Sequence, residues 1–234
     1  MRLVTWNCCR GSFETKAPLL DHLQADIAVF QEIAKPVAEA PNVLWFGENP
    51  KIGMAVQARP PYQVKPFAKI ENVPNYVIPV AVTGPVSFLL FAVWTTTDKD
   101  FPYVRALSKA IDTYSAVLDC AESVVFMGDF NSNALWDHLH PADLNHTSMV
   151  ERLASRSLVS AYHHVRQVEH GREVERTFYL HRNKDKSHHI DYCFVPESWA
   201  DEIKEVQVGS YEELSNASDH RPLLVELNLP KAMR

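Results

Sequence analysis

SVVFMGDFN, residues 123–131, decides how this chain is read. Val124 to Met127 is an apolar run of the length of a buried strand, and it empties into Gly128, Asp129 and Asn131, with Asn133 and Trp136 close behind. A core has no use for an acid and two carboxamides, so the strand reads as a rigid arm that presents polar groups at its end. Four more apolar segments do the same. Trp6 leads to Asn7, and Val29-Phe30 leads to Gln31-Glu32. Ile190 precedes Asp191, and Ser218-Asp219-His220 stands directly before the last strand. In layered α/β folds, ligands meet the sheet at strand ends, where side chains distant in sequence converge.

A chain of 234 residues with 46% apolar content has material for a sizeable core. No linker, low-complexity tract or fixed-period repeat divides it, so one domain over residues 1–234 is expected. The first residues, MRLVTWNCCRGSF, turn polar after a few apolar positions, and no run approaches the roughly 18 apolar residues of a membrane helix. The expectation is a cytoplasmic monomer without a membrane anchor. The four cysteines fit neither a disulfide framework nor a zinc pattern. A net charge of −6 argues against a protein coated in basic residues for gripping long duplexes. That average hides a division: Glu197 to Asp219 holds seven acids against Lys204, whereas Arg166 to His189 holds six Arg or Lys against four acids.

The periodicity predicts a strand at Leu3–Trp6, a helix with Phe13, Ala17, Leu20 and Leu23 on one stripe, and a strand in DIAVFQE. Hairpin-like pieces follow in NVLWF, GMAVQAR, YQVKPFAKI, YVIPVAVTG and VSFLLFAVW, with Pro79 placing its strand at an edge or a bulge. YVRALSKAIDTYSAVLDC is the strongest helix, and a second covers roughly Ser148 to Ser157. RTFYL, HIDYCFV, EVQVG and PLLVELNL complete about ten strands, which suggests two sheets packed face to face with helices outside.

The polar groups at the strand ends form a chemical set. Glu32, Asp129 and Asp219, with Asp191 inside a strand, two carboxamides and His220, describe hard oxygen ligands with an acid–base partner. TWN (Thr5 to Asn7), QE (Gln31, Glu32), GDFN (Gly128 to Asn131), IDY (Ile190 to Tyr192) and SDH (Ser218 to His220) together resemble the ordered motif set of the endonuclease/exonuclease/phosphatase superfamily. The match runs from Met1 to about Leu229. The resemblance implies an α/β four-layer sandwich, two mixed β-sheets flanked by helices, as in deoxyribonuclease I.

It also implies roles. Magnesium is the expected cofactor, with manganese as a substitute, held by Glu32 and, directly or through water, by Asn7 and Asp219. Asp129 positions or deprotonates the attacking water and Asn131 orients it. His220 contacts the scissile phosphate, and Asp191 fixes its ring and raises its basicity. Two departures stand out. Cys8-Cys9 follows Asn7 where many relatives place an Asp or Asn, and Trp94 stands where relatives carry a His or Tyr on the phosphate. Trp94, Asn133, Trp136 and His189 are the candidates for substrate contact, Trp136 by stacking on a base. Arg10, Arg182 and Arg221 border the motifs, but ordinary surface charges are the plainer reading. The histidines 138, 140, 163, 164, 188 and 189 match no zinc spacing and are read as solvent-facing or capping.

The expected activity is magnesium-dependent hydrolysis of phosphodiester bonds in nucleic acid, by an endo- or exonuclease. The alternative is a phosphatase or phosphodiesterase acting on an inositol phosphate, a nucleotide or a lipid headgroup. A third reading is a non-catalytic phosphate-binding module; the retention of every principal catalytic residue type argues against it.

Overall fold

The structure is a computed structural model that describes residues 1–67 and 74–230. Residues 68–70, the end of the expected strand YQVKPFAKI, lie outside the described residues. In chain order the described strands are β1 (Arg2–Asn7), β2 (Ile27–Ile33), β3 (Val43–Asn49), β4 (Ile52–Ala58), β5 (Gln63–Pro66), β6 (Val77–Thr83) and β7 (Phe88–Trp94). After these come β8 (Val124–Asp129), β9 (Leu158–Ser160), β10 (Phe178–Tyr179), β11 (Ser187–His188), β12 (Asp191–Pro196), β13 (Ile203–Val208) and β14 (Leu223–Leu227).

Two six-stranded sheets result, ordered β13-β14-β1-β2-β4-β3 and β5-β6-β7-β8-β12-β9, with β10 and β11 as a separate ribbon. Each sheet has one parallel pair, β1 with β2 and β7 with β8, among antiparallel neighbours. Strand alternation sets the layers. Leu3, Ile27, Val29, Leu90, Ala92, Val125 and Met127 meet in the core between the sheets. The opposite faces go outward. Val4, Trp6, Ala28 and Phe30 pack on Phe13, Ala17, Leu20 and Leu23, whereas Leu89, Phe91, Val93 and Phe126 pack on Leu107, Ala110, Ile111 and Met149. This is the expected order of helix, sheet, sheet, helix.

Three local expectations are corrected. Ala17–Leu23 is a 3-10 helix, with Pro18 at its start. The long expected helix is divided into Val104–Thr113 and Ser115–Cys120 at Tyr114, whose ψ of 12° leaves the helical range and whose ring packs edge-on to Phe91. Pro79 sits in β6, which pairs on both sides. It is tolerated at the end of the β5 pairing, where its carbonyl accepts the Phe67 N–H at 3.3 Å and only the return bond is lost.

The parallel and antiparallel pairs bring the five polar strand ends together. Asn7 pairs with Gln31 at the ends of β1 and β2, and Asp129, the last residue of β8, faces Asp191, the first of antiparallel β12. The start of β14 lies against the end of β1, which places the Ser218–His220 turn beside Asn7.

Candidate active site

Asn7 is the hub of this strand-end cluster. Its Nδ2 donates to Asp129 Oδ2 at 2.9 Å and to Glu32 Oε1 at 3.2 Å, while Oδ1 accepts the Cys9 N–H at 2.9 Å. One carboxamide therefore ties carboxylates from two different sheets. The backbone is bent to suit: Cys9, Glu32 and Asn131 have φ of 49°, 53° and 46°. Such values in non-glycine residues are uncommon and gather at functional sites. At Glu32 the departure coincides with a register shift between β2 and β4, which leaves this side chain half-buried beside wholly buried Gln31.

Asp129 and Asn131 are joined by a local fold-back of the chain. Asn131 is left-handed, so it folds back and donates both its backbone N–H, to Asp129 Oδ1, and its Nδ2, to Asp129 Oδ2, each at 2.9 Å. Gly128 makes this close approach possible. Its Cα lies against β7 so tightly that an added Cβ would fall 1.8 Å from the Val93 carbonyl oxygen.

His220 Nδ1 is 2.9 Å from Asp191 Oδ2, and its Nε2 is 4.0 Å from Asp129 Oδ2. The ring is held from behind. The Trp6 indole N–H donates to the His220 carbonyl at 3.1 Å, and Ser218 Oγ links the Asn7 carbonyl (2.7 Å) to the His220 N–H (2.9 Å). Burial opposes charge on this imidazole, yet Asp191 and then Asp129 outweigh it and push the pKa up to about 9. Burial raises Asp129 to about 7, against the lowering pull of His220. Asp219 is half-buried next to the Cys9 thiol, which burial and then this carboxylate raise above the usual thiol range.

Among the described residues no Lys or Arg comes within 4.0 Å of Glu32, Asp129, Asp191 or Asp219. Asp191 Oδ1 is buried without a hydrogen-bond partner. Buried carboxylates in this number call for a cation. Ligand atoms of Asp129, Asp191 and His220 lie within 4.8 Å of one another, and Glu32 joins them through Asn7, a carboxylate-rich group of the kind that holds a hard divalent ion.

The other candidates divide. Trp136 is half-buried, tilted over His188 at 4.7 Å, and borders a cleft of about 360 Å³ with Asn131 and Tyr103. Trp94 is a core side chain packed on Tyr76 at 4.6 Å. Asn133 borders the same cleft, but its side chain is directed inward. It caps Leu135 N–H and donates to Glu173 and to the His189 carbonyl at 2.8 Å. His189 is wholly buried and bonds the Glu175 carbonyl at 2.9 Å. Asn133 and His189 thus belong to the interior, not to a substrate rim. Arg221 is no surface charge either: fully buried between Tyr179 and Tyr211, it bonds the Ser218 and His220 carbonyls and so braces the turn that carries His220. Thr95 was also missed; its carbonyl accepts Asn131 Nδ2 at 2.8 Å. A threonine after a strand carries no signal of that role.

Structures with the same fold include the 3′-5′ exonuclease NExo from Neisseria meningitidis, with a TM-score of 0.71, 20% identity, and coverage of 98% of this chain and 100% of that one. An AP endonuclease from Archaeoglobus fulgidus has a TM-score of 0.71 at 17% identity, again covering 98% and 100%. The endonuclease domain of TRAS1, a telomere-specific non-LTR retrotransposon, has a TM-score of 0.68 at 19% identity, covering 98% and 99%. No curated protein sequence matches the chain. The family model described as Endonuclease/Exonuclease/phosphatase family matches residues 4–220. With five strand ends delivering its polar groups to one cleft in that fold, the chain is a member of the endonuclease/exonuclease/phosphatase family.

Proposed function

We propose that this chain is a magnesium-dependent phosphodiesterase that hydrolyses nucleic acid, with manganese able to replace magnesium. The observation that carries the reading is the unbroken run of contacts from Glu32 through Asn7 and Asp129 to His220 and Asp191, which puts a metal ligand, a base and a cation around one small space. A divalent ion held by Glu32, with Asn7 and Asp219 contributing, would neutralise the phosphate and polarise the water.

The side chains supply the rest. Asp129 accepts a proton from the attacking water; the three hydrogen bonds from Asn7 and Asn131 aim its carboxylate. His220, kept as an imidazolium by Asp191, donates from Nε2 to a phosphate oxygen and stabilises the charge that develops there.

The neighbouring cleft favours nucleic acid over a free inositol phosphate. Tyr103, Val104, Trp136 and Leu139 line it, and no Lys or Arg appears among its described residues. Such a surface suits a base or sugar, whereas several phosphates would require cations. The solved structures of the same fold point the same way, since one is a 3′ phosphatase from Neisseria bound to a product DNA hairpin. The test is a substrate panel with magnesium and with chelator: single-stranded, duplex and abasic oligonucleotides beside inositol phosphates and nucleotides. Magnesium-dependent cleavage of an oligonucleotide is expected. Turnover of the small esters alone would overturn the substrate assignment.

A further inference from the structure

The basic stretch Arg166 to His189 and the helix before it divide in the structure. Part goes inside: His163 and His189, read from the sequence as solvent-facing or capping, are buried. His163 bonds the buried Glu173 at 3.0 Å and stacks on His170 at 3.5 Å, so these rings are interior packing. The rest goes outside. Residues 180–186, the turn between β10 and β11, are all exposed.

This ribbon stands against both halves of the proposed site. Phe178 pairs across it with His188. On one side the Phe178 ring lies 4.7 Å from the His220 ring, and the two residues form an isolated backbone bridge. On the other, the His188 ring lies 4.7 Å from Trp136, at the border of the base cleft. The ribbon therefore forms one wall from the phosphate-contacting imidazole to the cleft. It is firmly held. The Tyr179 N–H donates to the Asp219 carbonyl at 2.8 Å, the Arg221 N–H donates to the Thr177 carbonyl at 2.6 Å, and Thr177 Oγ1 accepts the Ile190 and Asp191 N–H groups at 3.0 and 3.1 Å.

Its two faces differ. Tyr179 packs inward on Tyr211 at 4.7 Å and against Arg221. The face of Phe178 and His188 is turned to the site, and strand alternation adds Lys186, two residues before His188, to it. Arg176, two before Phe178, belongs there as well: burial and then its charge hold the His188 imidazole below its usual range. Residues 176–188 carry four cations against one acid, Asp185, in a chain of net charge −6. Lys184 is paired with Glu212, whereas Arg176, Arg182 and Lys186 have no ion-pair partner among the described residues. Glu175, next to Arg176, is taken by Arg166. Unpaired cations interleaved with aromatic rings are the pattern that tracks a single-stranded backbone while its bases stack.

We propose that Arg176 and Lys186 hold phosphates of a single strand on either side of the nucleotide seated between His220 and Trp136, so that the substrate is a polynucleotide. Each cation stands two residues from the Phe178–His188 pair, about 7 Å along the ribbon. That is about two phosphate steps of a stacked strand. The position of the scissile phosphate is taken from the function proposed above, and binding is read apart from cleavage so that the two can fail separately.

The test is fluorescence anisotropy of a labelled single-stranded oligonucleotide of about twelve nucleotides, with calcium replacing magnesium and the probe checked intact by gel. Each phosphate contact contributes about 0.7 to the slope of log Kd against log salt for a single strand. Arg176→Gln and Lys186→Gln should each lower the slope by roughly that amount and raise Kd several-fold at about 50 mM salt. Lys186→Arg should keep the wild-type slope. Lys204→Gln removes the same charge at the end of β13 away from His220 and should bind as the wild type does. An unchanged slope in both Gln variants at the ribbon, an equal loss in Lys204→Gln, or tighter binding of the matching duplex than of the single strand would each overturn the ribbon's role. A wild type with the expected slopes that cuts no oligonucleotide in magnesium would uphold the ribbon and overturn the hydrolysis. A wild type that binds no oligonucleotide would overturn both.

Discussion

Asp191→Asn isolates what one carboxylate does for His220. The substitution keeps the shape of the side chain and removes its charge. In the structure burial drags the His220 imidazolium down, and Asp191 is the foremost of the groups that lift its pKa from 6.5 to about 9. That rise corresponds to about 3 kcal/mol favouring the charged ring. Without Asp191, burial has the upper hand and the pKa is expected at or below about 6.5. At pH 7.5 the charged fraction then falls from nearly all to roughly a tenth, a tenfold loss from protonation alone. Loss of ring orientation should bring the total to about 10²–10³ in kcat. The assay is kcat against pH on an oligonucleotide that the wild type cleaves. The wild type should show an acid limb near pH 7 from Asp129 and an alkaline limb near pH 9 from His220, and in the variant the alkaline limb should move down to about 6.5 with little change in KM. An alkaline limb that stays near 9 in the variant would refute the assignment of charge on His220 to Asp191.

Asp129→Asn removes the base and turns an NH2 group toward the donors of Asn7 or Asn131, so kcat should fall by at least about 10³ and the melting temperature should fall with it, checked by single-turnover cleavage and calorimetry. Gly128→Ala drives a methyl group into the Val93 carbonyl, so a loss of roughly 4 kcal/mol or more in urea unfolding, or failure to fold, is expected. Trp136→Ala should weaken oligonucleotide binding by about 1–3 kcal/mol and leave cleavage of a small chromogenic phosphodiester unchanged; equal effects on both would contradict a stacking role. Burial holds His146 and His189 down to about 4 and His170 to about 2. Their unfolded forms take up protons below pH 6.5 while the folded forms stay neutral. Asp129, raised to about 7, acts in the opposite sense, so three imidazoles less one carboxylate leave stability falling as pH drops from 6.5 toward 4 at roughly 3 kcal/mol per pH unit. Urea unfolding at pH 7, 6 and 5 measures that slope, and a flat profile would contradict it.

The strand ends were legible because a polar group after an apolar run has no packing explanation. Register alone pairs Asn7 with the end of β2 and Asp129 with Asp191, and the face-to-face packing of the two sheets brings the two pairs together. The hook at Asn131 was not legible as a left-handed turn, because an extended chain and a folded-back one share the same two-residue spacing. The Glu173 cluster was hidden for a different reason. Its parts lie on a short helix, a loop and a strand entry, at spacings set by tertiary packing and by no period. Arg221 was misjudged because charge predicts exposure, and only the two tyrosine rings around it reverse that rule.

The most direct test of a metal-dependent hydrolytic centre is an anomalous difference map from a crystal soaked in manganese. A peak within bonding distance of the Glu32 carboxylate, on the side facing Asp129 and His220, is the expected result. A map at saturating manganese with no density between Glu32 and Asp129 would contradict it.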